Sequence, residues 1–405
     1  MHALNLNPQT RRLAVGYCFS KCGEFAFEAA FAVAVVAMTD ADLLQIGIVY
    51  CLRYLPSALC SPVGGWLADN GQKKRTLLSV ELAKSVLALV FFGVFALYTP
   101  NLAVVIILAM LMTALDCLYV PTFRAYFPEL VDKDELPAVN SAVQVIEDAA
   151  SIIGPLVFSA LALGWSSTAT FLFFGLCLLL SVACIATLAV GARQPRVAFD
   201  GLALVRDAAR SVGQLRGGNA PLFAVIGCTT LCAMFATSVI RFILPASVLE
   251  RFGSEAAVGY VFALLAAGTV LGGMLYTRFN KRTTARLVVR YWALYGALFL
   301  AAALALEYQA WLFLMILFAV GFVGAFVDIA IVTNIQCLSA DHEVGRNFSL
   351  YYFTAVLGDA MSGLVASLVY LLVGPATFVW MTFMLFAAPL RWHFRGKLEA
   401  SPPEG

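Results

Sequence analysis

The chain has 405 residues, 62% hydrophobic and only 12% charged, with a mean hydropathy of +0.88. That balance lies far outside the range of a soluble globular domain and requires a polytopic membrane protein. A net charge of +2, with the basic residues scattered among loops, gives no basis for a nucleic-acid partner.

Apolar runs of roughly 20 residues, the length that crosses a bilayer, fall at 13–38, 43–65, 76–98, 101–122, 137–163, 168–190, 220–244, 256–278, 286–306, 310–333, 347–372 and 375–391. The sequence therefore predicts an all-α protein with twelve transmembrane helices. Residues 1–12 are polar and the first run is of full spanning length, so no cleavable signal is expected. Alternate loops hold 20 of the 26 Lys and Arg residues, whereas the opposite set holds only Arg251. The positive-inside rule then predicts a multi-pass protein of a bacterial inner membrane with both termini in the cytoplasm.

One boundary interrupts the series. Residues 192–218 form a central loop in which Leu202, Val205, Ala209, Val212 and Leu215 share one helical face, with Arg206 and Arg210 off it. An amphipathic helix along the inner membrane surface is expected there. It separates an N-terminal bundle over 1–191 from a C-terminal bundle over 219–405. The two halves repeat with an offset of about 210 residues, which pairs Gly65 with Gly273, Lys74 with Arg282, Asp132 with Asp341 and Ser141 with Ser349. Two pseudosymmetric six-helix bundles follow.

Between the second and third spans lies Gly64-Gly65-Trp66-Leu67-Ala68-Asp69-Asn70-Gly71-Gln72-Lys73-Lys74-Arg75. Glycines ending an apolar helix admit a close neighbour. Asp69 suits the positive N-terminus of another helix, here expected to be the one that begins near Asn347. This stretch resembles the loop 2-3 signature of the major facilitator superfamily, with Gly65, Asp69, Lys73, Lys74 and Arg75 as its gate motif. The second copy, Gly272-Gly273-Met274-Leu275-Tyr276-Thr277-Arg278, has Thr277 in place of the aspartate.

The run Leu77-Leu78-Ser79-Val80-Glu81-Leu82-Ala83-Lys84 resembles the third helix of the efflux branch that includes macrolide and enterobactin exporters. Phe127-Pro128-Glu129-Leu130-Val131, Leu136-Pro137-Ala138-Val139-Asn140-Ser141 and Gly154-Pro155 resemble its loop 4-5 and fifth helix. Two departures stand out: Gln72 replaces a small residue in the hinge, and the fourth span lacks the central arginine of many proton-coupled drug antiporters. The resemblance implies the twelve-helix transporter fold, with the third, sixth, ninth and twelfth helices as outer supports.

An ionisable side chain at mid-membrane costs at least about 2.5–3.5 kcal/mol and normally faces a partner or a cavity. Lys21, Glu24 and Glu28 lie in the first span, Arg53 in the second, Asp116 in the fourth, Glu147 and Asp148 in the fifth, Arg241 in the seventh, Asp328 in the tenth and Asp359 in the eleventh. Lys84, near the start of the third span, is expected to snorkel to the interface. Lys21, three residues from Glu24, can neutralise it, which leaves Glu28 as the better candidate for reversible protonation. Asp116 with Asp328, and Asp148 with Asp359, repeat at the offset of the two halves. Glu28, Asp148, Asp328, Asp359, Asp116 and Glu147 are thus the proton-coupling candidates. Asn140, Gln144 and Glu147 or Asp148 share one face of the fifth span. Arg53, Arg241, Glu24, Tyr54, Gln144 and Asn140 are the substrate-binding candidates, although both arginines could equally be partners for the carboxylates.

Ten cysteines lie mostly inside apolar runs, and His2, His342 and His393 lie outside them. Neither a metal site nor a histidine relay is supported. The chain has no glycine-lysine phosphate cradle and no nucleophile with a histidine partner, so no cofactor and no enzymatic activity are expected. Energy must come from an ion gradient. The sequence predicts a monomeric secondary transporter in a lipid bilayer, a proton-coupled exporter of an amphipathic small molecule such as a siderophore or drug. The alternatives are an importer of the same fold and, further off, a lipid flippase.

Overall fold

The computed structural model describes residues 7–40, 43–98, 100–188, 219–252, 255–280 and 283–393. The expected amphipathic helix of the central loop lies outside them. The described elements are all helical: α1 (Pro8–Met38), α2 (Leu43–Tyr54), α3 (Pro56–Asn70), α4 (Lys73–Leu97), α5 (Leu102–Leu130), α6 (Leu136–Gly164), α7 (Ala169–Ala186), α8 (Ala220–Ser238), α9 (Leu244–Phe252), α10 (Glu255–Phe279), α11 (Ala285–Tyr308), α12 (Ala310–Leu338), α13 (Val344–Val373) and α14 (Thr377–His393). A π-helical turn, Val239–Ile243, joins α8 to α9.

Twelve crossings result, because α2 with α3, and α8 with α9, each make one. Nine stretches among the described residues meet a plain length-and-hydropathy test for a membrane span, the last running through both α13 and α14. α1 falls short of it through Lys21, Glu24 and Glu28, and α2 and α3 fall short because each is brief. Pro56 explains that break: it opens α3 at a position where a continuing helix would need the proline's missing N–H.

The chain clusters into two compact units. The first takes in residues up to Asp132, the part of α6 from Ile146, α7, and Asp341–Phe353 at the start of α13. Its apolar core is phenylalanine-rich: Phe27 and Phe91 meet edge to face at 5.2 Å, and Phe91 stacks on Phe171 at 5.4 Å. The second takes in Lys133–Val145, α8 to α12, α13 from Thr354, and α14. There the Tyr295 and Phe299 rings pack edge to face at 5.0 Å, and Phe313, Met381 and Leu385 are fully buried.

Each unit closes its first helix on its fourth crossing in the same way. Asn7 accepts the Thr10 N–H at 2.8 Å as the N-cap of α1, while its amide donates to the Leu130 carbonyl at the end of α5, also at 2.8 Å. Asn219 caps α8 through the Leu222 N–H at 3.1 Å and donates to the Leu338 carbonyl at the end of α12 at 2.8 Å. One side chain thereby satisfies an orphan donor of one helix and an orphan acceptor of another. The close helix contacts repeat too. A Cβ on Gly64 would lie 2.0 Å from the Cys117 carbonyl oxygen, and one on Gly272 would lie 2.3 Å from that of Phe322. Only glycine lets α3 approach α5, and α10 approach α12, so nearly.

Candidate functional site

One face of α1 organises the polar interior of the first unit. Tyr17, Lys21, Glu24 and Glu28 recur at spacings of four, three and four residues, which aligns them along the helix. Lys21 Nζ lies 2.6 Å from Glu24 Oε1. The other oxygen of Glu24 is 3.5 Å from Nζ of Lys84 on α4, and that nitrogen is 2.5 Å from Oδ1 of Asp116 on α5. The result is an alternating row of Lys21, Glu24, Lys84 and Asp116, in which each interior member neutralises two neighbours.

The expectation that Lys84 would snorkel is therefore corrected: it is fully buried. Two carboxylates and the faces of Tyr119 and Phe174, 5.5 and 5.9 Å away, hold it inside. A charge in a dry interior needs such company, since desolvating a single ion costs several kcal/mol.

Further pairs flank the row. Glu28 receives both terminal nitrogens of the Arg53 guanidinium, Nη1 at 2.8 Å from Oε2 and Nη2 on Oε1, the two-pronged geometry arginine favours. Arg53 is 3% exposed, with its guanidinium carbon 4.7 Å from the Phe31 ring and 5.5 Å from that of Tyr54. At the other end of the α1 face, the Tyr17 hydroxyl donates to Glu147 Oε2 at 2.9 Å, and Arg124 reaches the same oxygen at 3.3 Å. Ser151 donates to the backbone carbonyl of Asp148.

At the end of α3, Asp69 accepts the N–H groups of Gly345 and Arg346 at 2.6 and 2.7 Å. These are the second and third residues of α13, so the carboxylate sits on the N-terminus expected of it. A Cβ on Gly345 would stand 2.2 Å from that of Ala68, which requires glycine at this approach. Burial pushes the Asp69 carboxyl up to about 6, and the Arg346 and Gly345 N–H groups with the Lys73 and Arg346 charges offset part of that rise. Lys73 bonds Glu129 at 2.6 Å, Lys74 donates to the Ala186 carbonyl at 2.8 Å, and Arg75 is exposed. Gly65 packs on Ser349, whose hydroxyl donates to the Ser61 carbonyl.

The second unit receives the other candidates. Asn140 donates to Thr333 Oγ1 at 3.0 Å and to Gln336 Oε1 at 2.5 Å. Gln144 is half-buried, Arg241 is exposed in the π-helical turn, and Asp328 is exposed on α12. Asp359 falls within α13, but its side chain is outside the described residues. The candidates thus divide: Glu24, Glu28, Arg53, Tyr54, Asp116, Glu147 and Asp148 belong to the first unit, and Asn140, Gln144, Arg241, Asp328 and Asp359 to the second.

Tyr17, Arg124 and Glu129 complete these networks without having been singled out as site residues from the sequence. Glu81 lies in the third-helix run, three residues before Lys84, but its hydrogen-bond partner, Ser181, comes from another helix.

The family model of the Major Facilitator Superfamily matches residues 13–230. The chain belongs to that superfamily, whose members are secondary transporters and not enzymes. No protein in the curated set matches significantly. A bacterial homologue of the iron transporter ferroportin, solved in an outward-facing state, is 16% identical, with 96% of this chain and 98% of that chain covered and a TM-score of 0.77. The human organic anion transporter MFSD10 is 15% identical, covering 95% and 99%, with a TM-score of 0.76. The proton:xylose symporter XylE, bound to a deoxyglucose derivative, is 11% identical, covering 95% and 96%, with a TM-score of 0.71. At these identities the likeness establishes the twelve-helix fold and leaves the cargo open.

Proposed function

We propose that this superfamily member is a proton-driven exporter of an amphipathic small molecule of the siderophore or drug class. The observation that carries the reading is the row Lys21–Glu24–Lys84–Asp116 with the neighbouring Glu28–Arg53 pair, whose bases are buried and whose acids are half-buried within a membrane-spanning unit. A purely structural interior is served better by apolar packing than by several desolvated charges. Carboxylates that exchange basic partners as protons arrive give the charges a use. Glu28, Asp116, Glu147, Asp148, Asp328 and Asp359 are the coupling carboxylates in this reading. Arg53, Tyr54, Glu24, Arg241 and Gln144 contact the cargo, and Asn140 does so by exchanging its bonds to Thr333 and Gln336.

The concentration of basic residues in alternate loops supports a topology with both termini in the cytoplasm of a bacterial cell; in this reading the Asp69 contact lies at the cytoplasmic end of the helices, where its making and breaking gates the pathway. The protein works as a monomer in the inner membrane. The test is transport by purified protein in liposomes under an imposed pH gradient, with a panel of siderophores and amphipathic drugs. Accumulation that collapses with the gradient supports the reading, and gradient-independent equilibration of every compound defeats it. Everted vesicles compared with intact cells separate export from import.

A further inference from the structure

The row of ion pairs leaves one buried acid without a basic partner of its own. Glu81, on α4 one turn before Lys84, is fully buried. Its Oε1 accepts the Ser181 hydroxyl from α7 at 3.2 Å. Its Oε2 makes no hydrogen bond, and the buried hydroxyls of Ser20 on α1 and Tyr119 on α5, which act on it electrostatically, make none either. The one cation facing it is Lys84, which is held by Asp116 at 2.5 Å and Glu24 at 3.5 Å. No ion pair among the described residues includes Glu81.

The charge count leads to the same residue. The acids gathered around the α1 face are Glu24, Glu28, Glu81, Asp116 and Glu147, against the bases Lys21, Arg53, Lys84 and Arg124. Four acids have a base within ion-pair distance and Glu81 has none. An uncompensated carboxylate in a dry interior is far costlier than a neutral carboxyl group with hydroxyl partners.

We propose that Glu81 is the inner proton-binding carboxyl of this transporter and that Lys84 is its switch. With the proton on, Glu81 is a neutral group among Ser20, Tyr119 and Ser181, and Lys84 belongs to Asp116 and Glu24. With the proton off, the Glu81 carboxylate draws the Lys84 amino group one turn along α4, and Asp116 loses its partner. Proton binding is thereby tied to the contact between α4 and α5. The inference rests on the proton-coupled reading, yet its test does not need the cargo.

The test is infrared difference spectroscopy of the full-length protein in lipid bilayers, stepped in pH, with the carbonyl stretch of a protonated carboxyl group as the signal. Wild type should show such a band, titrating with pH. Glu81→Gln should lose the component of it that Glu81 contributes, whereas Glu307→Gln, which removes an exposed acid, should keep it. Ser181→Ala, which removes one hydroxyl partner and no acid, should keep the band but move its frequency, and this guards against a Glu81 variant that misfolds. An unchanged band in a folded Glu81→Gln protein overturns the proposal, as does a Ser181→Ala band at the wild-type frequency. If the Glu81 band titrates as expected but pH-gradient transport is absent, the transport reading fails and the proton site stands.

Discussion

Lys84 Nζ lies 2.5 Å from Asp116 Oδ1, across the contact between the third and fourth crossings, with no part of the lysine exposed. Removing one partner of a buried pair leaves a charge stranded, which costs about 3–5 kcal/mol, whereas replacing both by apolar or neutral groups is often close to neutral. Lys84→Met should therefore lower thermal stability in detergent sharply. Adding Asp116→Asn to it should recover most of the loss. A Lys84→Met protein that melts with wild type would show the pair to be energetically idle.

The Asp69 contact should depend on pH, and its sign follows from burial. The carboxyl moves from an ordinary value of 3.8 to about 6 when it is enclosed against Gly345 and Arg346. Protonation therefore favours the enclosed state over one in which Asp69 is hydrated. The gain is fully present below 3.8 and is lost as pH rises through about 6. Spin labels flanking the ends of α3 and α13 should report a falling population of the contact across that window and a plateau above it. Asp69→Asn, which cannot ionise, should abolish the pH dependence. Asp69→Ala, which offers the two N–H groups no acceptor, should lower the contact population at every pH.

The twin asparagine caps make a local prediction. Asn219→Ala removes the cap of α8 and the tie to Leu338 together, so a loss of about 1 kcal/mol or more is expected. Hydrogen exchange should rise at residues 220–224 and 335–339 and stay unchanged around Leu130. Asn7→Ala should produce the mirror result, at residues 8–12 and 127–131. Exchange that rises equally in both halves for either variant would contradict the independence of the two caps.

Much of this architecture was legible because it is written in local pattern. Spans and the Lys21–Glu24 pair depend on residues within a few turns of one another, where helical periodicity fixes geometry. Asp69 at the start of α13 could also be anticipated, since an acid in a hinge has few better partners than a helix N-terminus. Lys84–Asp116 and Tyr17–Glu147 could not, because their residues are 32 and 130 positions apart and their meeting depends on how each helix is rotated about its axis. Lys84 was misread for the same reason: depth along a helix says nothing about which side it faces. The twin caps escaped notice because asparagine before a helix suggests a cap, while the second bond, to a distant carbonyl, leaves no trace in sequence.

In the proposed reading, the Glu28–Arg53 pair decides how an anionic cargo binds. Arg53 is the candidate for recognising a carboxylate or catecholate, yet both of its terminal nitrogens are engaged by Glu28 and almost none of it is exposed. An incoming anion must displace Glu28 before it can take the guanidinium, and Glu28 thus acts as a competitor built into the chain. Removing the competitor's charge should tighten anion binding. For Glu28→Gln we expect at least a tenfold lower Kd for a catecholate siderophore, equivalent to about 1.4 kcal/mol. Arg53→Gln should abolish that binding, and so should the double variant. Arg53→Lys should restore it only in part, because an ammonium is a point charge without the planar fork. A cationic amphiphile should respond in the opposite sense, binding less well to Glu28→Gln than to wild type. Equilibrium binding to purified protein in nanodiscs measures the four variants and wild type directly. If the siderophore binds wild type, Glu28→Gln and Arg53→Gln with one affinity, Arg53 is a structural partner of Glu28, and anion recognition would have to lie elsewhere, with Arg241 the first residue to examine.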